Sequence, residues 1–174
     1  MAAVIAAVVG LLALGVSGYT AYIQRQQVRA QVWPYLEAGN DDNDQSLIMY
    51  SKGVGPAIVR TAQIFIDGKP LPDWTRVLET LGVPSHDFQQ STLNPSVLMP
   101  GEQLKLIKFK DEDRWKQFRA AAVERMAMEV CYCSTLGECW LYSDRHPIGY
   151  KALAQLVTPV AQCPRVPESA SFIN

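Results

Sequence analysis

"GVGPAIVRTAQIFIDGKPL", residues 53–71, decides how the rest of the chain is read. A Gly-Pro turn opens it, an extended run rich in β-branched residues follows, and Asp67-Gly68 ends the run with a hairpin signal. Alternation puts Ile58, Arg60, Ala62, Ile64 and Ile66 on one face, which is the period of a strand and not of a helix. The surrounding domain is therefore expected to be mainly β.

The neighbouring segments repeat the signal. "GNDDND" (residues 39–44) clusters side chains that bond their own backbone in turns, and "SLIMYSKG" (46–53) reads as a short strand. "SVLMPGEQLKLIKFK" (96–110) gives strand, Pro-Gly turn and strand, with Leu104, Ile107 and Phe109 as apolar bulk. Two short helices interrupt the pattern. In "PDWTRVLETLGVP" (72–84) Asp73 can cap, Trp74, Val77, Leu78 and Leu81 form a stripe, and Gly82 with Pro84 ends the helix. "DEDRWKQFRAA" (111–121) is the second, carrying Trp115 and Phe118, and an extended segment then runs to Ser134. Short strands, frequent turns and minor helices predict an antiparallel β-sandwich of immunoglobulin-like kind.

The N-terminus is a different object. The first charged side chain is Arg25, and residues 2–23, "AAVIAAVVGLLALGVSGYTAYI", are long enough at 1.5 Å per residue to cross about 30 Å of hydrocarbon. The reading is a transmembrane helix. A cleaved secretory signal competes with it, but such signals open on Lys or Arg and this segment opens "MAAVIAA". Tyr19 and Tyr22 suit the membrane boundary, where a ring is apolar and its hydroxyl wet. Arg25 and Arg29 flank only the C-terminal end, which predicts a cytoplasmic soluble domain, with a periplasmic one as the alternative. Ala6, Gly10, Ala13 and Ser17 recur at spacings of four, three and four, a small-residue stripe against which another helix can pack. The expected organisation is a span over 1–23, a helical stalk over 24–38, the sandwich over 39–163 and a tail over 164–174.

The 174 residues carry 16 basic and 17 acidic side chains, a net charge of -1. That balance gives no footprint for nucleic acid, which needs clustered uncompensated Lys and Arg. No cofactor signature is present either. "GVGPA" lacks the third glycine of a dinucleotide fold and the Gly-Lys-Ser/Thr of a phosphate loop, so it reads as a bend. His86 and His146 sit beside turn signals in no metal or catalytic spacing, and Asp111, Glu112 and Asp113 have a capping explanation. "KFKDEDRWKQFR" mixes both signs as a solvated helix face does.

"CYCSTLGECW" (131–140) holds three of the four cysteines. Alternation turns Cys131 and Cys133 to one face of a strand and Val130 and Tyr132 to the other, and "STLGE" makes a hairpin. With the turn centred on Leu136, Cys133 lies across from Cys139. Three readings compete: reduced buried thiols, two disulfides paired Cys133 with Cys139 and Cys131 with Cys163, or zinc held by Cys131, Cys133 and Cys139 with His146 or Cys163. Cys-x-Cys is not the usual zinc-knuckle spacing, and a redox Cys-x-x-Cys is absent.

At "VWPYLEAG", "GVGPAIV", "VLMPGEQL" and "CYCSTLGECW" the chain resembles a group of small bacterial membrane proteins, each one N-terminal span followed by an immunoglobulin-like sandwich. The resemblance implies architecture and an inner-membrane address, and it carries no catalytic residue across. The functional expectation is a non-enzymatic accessory or interaction protein, with the lipid bilayer and another membrane protein or a second copy as partners. A cysteine-based metal or redox sensor and a disulfide-held extracytoplasmic binding module stand as alternatives.

Overall fold

In a computed structural model, which describes residues 1–145, 156–167 and 170–172, a single helix leads into two antiparallel sheets. Helix α1 (Ala2–Gln31) buries none of its residues, as expected of a helix apolar on every side that has no protein around it. Its serine and its threonine bond the preceding turn: Ser17 Oγ donates to the Ala13 carbonyl at 2.8 Å and Thr20 Oγ1 to that of Val16 at 2.9 Å.

The first sheet runs β1 (Leu36–Asp41), β2 (Ser46–Ser51), β7 (Gln103–Phe109), β5 (Phe88–Gln90). The second runs β10 (Val157–Val160), β9 (Cys139–Ser143), β8 (Met126–Cys133), β3 (Ala57–Ile66), β4 (Lys69–Leu71), with β6 (Ser96–Leu98) also paired to β3. The chain is thus mainly β and sandwich-like. Helices α2 (Trp74–Leu81) and α3 (Glu112–Ala122) close one side with an aromatic cluster in which Trp74, Phe109, Trp115 and Phe118 meet. Both start on a capping aspartate: Asp73 accepts from Arg76 N–H, and Asp111 from Asp113 and Arg114 N–H. Gly82 ends α2 at φ 74, a left-handed position that glycine takes without penalty. All four members of the α2 stripe are buried, worth about 1.5–3 kcal/mol for each large side chain.

Several expectations need correction. The single face drawn through β3 is broken: Ala57 and Val59 point inward, Arg60 is exposed, and Ala62, Ile64 and Ile66 point inward again. A bulge explains the switch, because Val59 pairs with Tyr132 and Thr61 with Cys131, leaving Arg60 as the extra residue. A second irregularity leaves Leu106 unpaired in β7, so Leu106 and Ile107 are both buried and Leu104 only in part. The strand, Pro-Gly turn and strand over 96–110 form as read, with the Pro100-Gly101 turn carrying the chain from β6 in one sheet to β7 in the other. The stalk stops being helical at Gln31, and Leu36 already belongs to β1. Nor is the C-terminus loose. Phe172 N–H donates to the Ala62 carbonyl, and the ring is buried edge-on against Trp74 at 5.3 Å.

The outer strands are short, proline-bearing or covered. β5 has three residues, β4 carries Pro70 and β10 carries Pro159. At the start of β1 the Leu36 amide donates to the Tyr132 hydroxyl at 3.2 Å, which reaches across from the second sheet. Burial pushes the Tyr132 hydroxyl up to about 12 and raises that of Tyr142 further, so both remain protonated.

Candidate functional site

Three features of the chain fall at definite places on this frame: the cysteines and the helix exit at one end of β3, and a group of cavities at the other.

β8 and β9 pair with Cys133 directly opposite Cys139, the register that a turn centred on Leu136 requires, and Gly137 takes the left-handed position at φ 80. Cys133 is bridged to Cys139 and Cys131 to Cys163, the pairing of the disulfide reading. Among the described residues no cysteine is free, so the reduced-thiol reading does not hold. The zinc reading falls with it, because a bridged sulfur offers no thiolate to a metal. His146, its possible fourth ligand, lies outside the described residues. The two bridges touch, with Cys133 Sγ 3.8 Å from Cys163 Sγ. Val130 and Tyr132 enter the main core while Cys131 and Cys133 face the other way, as alternation predicts. The alternation could not show that this second face is also covered. Cys163 covers it, and β8 is buried on both sides from Val130 to Cys133.

At the same end the helix is clasped to the sandwich backbone to backbone. Lys52 N–H donates to the Tyr35 carbonyl, and Val54 and Gly55 N–H both donate to that of Trp33. A Cβ at Gly53 would lie 2.4 Å from Tyr35 N, and one at Gly55 would lie 2.2 Å from the Val32 carbonyl oxygen. Only glycine permits that approach. The "GVG" read as a simple bend is the seat of the segment leaving α1. Beside it, Arg29 pairs with Glu138 of the hairpin turn at 2.9 Å, which ties the stalk to the disulfide-closed loop. Ala6, Gly10, Ala13 and Ser17 lie farther down the helix, within about 60° of arc at 100° per residue. No described part of the sandwich buries them.

The opposite end carries the two largest of the described cavities, and Val123, just beyond α3, lines both of them and a third, smaller one. The largest, about 650 Å³, lies between the β3–β4 turn and the start of β8, with Asp67, Arg125, Asp144 and Arg145 in its wall. Most charges at this end are already engaged, although Glu124 in the same wall has no ion pair among the described residues. Arg125 grips Asp67 through Nε and Nη2 and holds that carboxyl below the ordinary range. Asp42 accepts from the Trp115 indole at 2.9 Å and pairs with Arg119, while Lys105 and Lys108 hydrogen-bond Asp44 and hold its carboxyl down. Asp144 differs. It lies between two of the cavities, accepts from Met128 N–H and from the Tyr142 hydroxyl at 3.3 Å, and its carboxyl is raised by burial. Sequence reasoning missed this pair, since nothing in "LYSD" announces that the aspartate folds inward.

His86 is exposed on its turn beside Arg114, which donates to its carbonyl. Asp111 is the α3 cap and Glu112 pairs with Lys116 one turn on. The chain matches no family model, no curated protein and no solved structure. The likeness to bacterial single-span proteins therefore rests on the quoted motifs.

Proposed function

We propose that this chain is a membrane-anchored, non-enzymatic interaction protein: α1 spans a bilayer, and an immunoglobulin-like sandwich on the oxidising face presents its far end to a partner protein. The observation that carries the reading is the clasp at Gly53 and Gly55. A domain that needs only tethering can hang on a flexible linker, whereas backbone packed on backbone fixes how the sandwich stands over the helix. Fixed orientation serves a protein that meets its partner in the plane of a membrane.

Three further features support the reading. The paired cysteines favour an oxidising compartment, since glutathione keeps thiols reduced in the cytosol. They outweigh Arg25 and Arg29, which alone favoured the cytoplasmic side. Most carboxylates at the far end have structural partners, as docking surfaces commonly do, and the stripe from Ala6 to Ser17 offers a second, intramembrane contact.

Crosslinking of intact membranes with an amine-reactive reagent tests the proposal. The expected products are covalent conjugates with a second protein or a second copy, mapping by mass spectrometry to Lys116 and its far-end neighbours. A strictly monomeric band across reagent concentrations would overturn it. For the side of the membrane, protease added from the oxidising face should degrade the sandwich and leave α1.

A further inference from the structure

Outside α1, the large apolar side chains exposed among the described residues are Trp33, Val54, Val97, Met99, Val123 and Leu136. Their distribution is lopsided. Trp33 and Val54 belong to the clasp, Val97 lies opposite Ile58 at the start of β3, and Met99 follows Leu98, which pairs with Ala57. Leu136 crowns the hairpin that begins where Cys133 pairs with Ile58. All five therefore lie at the end of the sandwich from which α1 departs. Val123 alone lies at the other end.

The hairpin also reaches back along the stalk. Arg25, Val28 and Arg29 of α1 share the walls of one groove with Leu136 and Glu138. Arg25 is two residues past Ile23, the last apolar residue of the span, and Arg29 is six past it, about 3 and 9 Å along the axis at 1.5 Å per residue. The headgroup layer on each side of a bilayer is roughly 5–7 Å deep, so Arg25 stands within it and Arg29 just beyond its outer edge, and the groove that Leu136 lines spans the two. Arg25 makes no ion pair among the described residues, and Glu138, the groove's one carboxylate, is taken by Arg29.

We infer that the helix-proximal end of the sandwich is a lipid-contact surface: the tip of the β8–β9 hairpin sits in the phospholipid headgroup layer, Leu136 against the acyl chains and Arg25 on a phosphodiester. This deepens the proposed function and rests on α1 spanning the bilayer. An exposed leucine on a tip and a cation beside it are the two kinds of group that hold a protein surface at a membrane interface. The occupant is the bilayer because the surface is continuous with the span. With the near end seated on lipid, the far end is what remains for a protein partner.

The test places a photoreactive diazirine amino acid, one position at a time, at 22, 123 and 136 of the full chain reconstituted in vesicles of phosphatidylcholine with a minority of phosphatidylglycerol. Mass spectrometry under non-reducing conditions reads both lipid adducts and intact bridges. Lipid adducts are expected at 22 and 136 and not at 123. Adducts at 22 alone would overturn the hairpin inference and leave the anchor standing. Their absence at all three positions would remove the anchor reading and the inference with it. Adducts at 123 as well would mean unspecific contact and would also overturn it.

Discussion

The two disulfides close loops of very different length, and that difference sets a measurable order of stability. The sequence separation is 32 residues for Cys131–Cys163 and 6 for Cys133–Cys139. Treated as loss of chain entropy in the unfolded state, the first contributes about 3.7 kcal/mol at 25 °C and the second about 2.2 kcal/mol. The loops are nested, but the hairpin bridge shortens the path around the outer loop by about six residues, which changes its contribution by only about 0.2 kcal/mol. Each pair contains one well-buried sulfur, so replacing both partners by alanine removes comparable packing. The double variant Cys131→Ala/Cys163→Ala should therefore be less stable than Cys133→Ala/Cys139→Ala by about 1.5 kcal/mol. With an m-value of about 1.5 kcal/mol/M, the urea midpoints should differ by about 1 M. Unfolding of the full chain in detergent micelles, followed by the fluorescence of the buried Trp74 and Trp115, reads this directly. If the outer pair costs no more than the inner one, the loop-length argument fails. If the untreated protein titrates free thiols, the connectivity itself is refuted.

Two other outcomes are expected. Gly55→Ala drives a Cβ to 2.2 Å from the Val32 carbonyl oxygen and should cost about 1–3 kcal/mol or more, because backbone cannot swing aside as a side chain can. Gly15→Ala, with nothing within 4 Å and outside the stripe from Ala6 to Ser17, is the control that should not lower stability, and equal denaturation midpoints for the two would refute the clasp. The raised Asp144 carboxyl binds its proton more tightly in the folded chain, so its contribution is fully present below the ordinary carboxyl value and is lost as pH rises through the raised native value. Asp144→Asn removes that loss, and its stability relative to wild type should improve from about pH 3 to about pH 7. Parallel stability profiles for the two proteins would show that Asp144 is not buried as described.

How much of this was legible in the sequence depended on the range of the interaction. The α1 helix, the α2 cap and stop, and the Cys133–Cys139 register are written in neighbouring residues, and each appears where those residues put it. The bulges at Arg60 and Leu106 are not local. An extra residue is tolerated only because the partner strand and the core behind it accept the change of phase, which alternation within one strand cannot reveal. Phe172 looked like tail because the residues from Pro159 on show little periodicity, and its burial against Trp74 depends on a contact across the length of the domain. For the same reason "GVG" read as a bend. What demands glycine there is the backbone of residues 32–35, and no motif within 53–57 records that neighbour.

The tyrosine hydroxyl that meets the amide of Leu36 carries a consequence for crowding. A membrane confines copies of a chain to two dimensions and raises their local concentration, conditions under which a bare strand margin recruits its equals into growing ribbons. Here the Leu36 amide, at the start of that margin, is already occupied by the molecule's own Tyr132, which withdraws one donor from any such template.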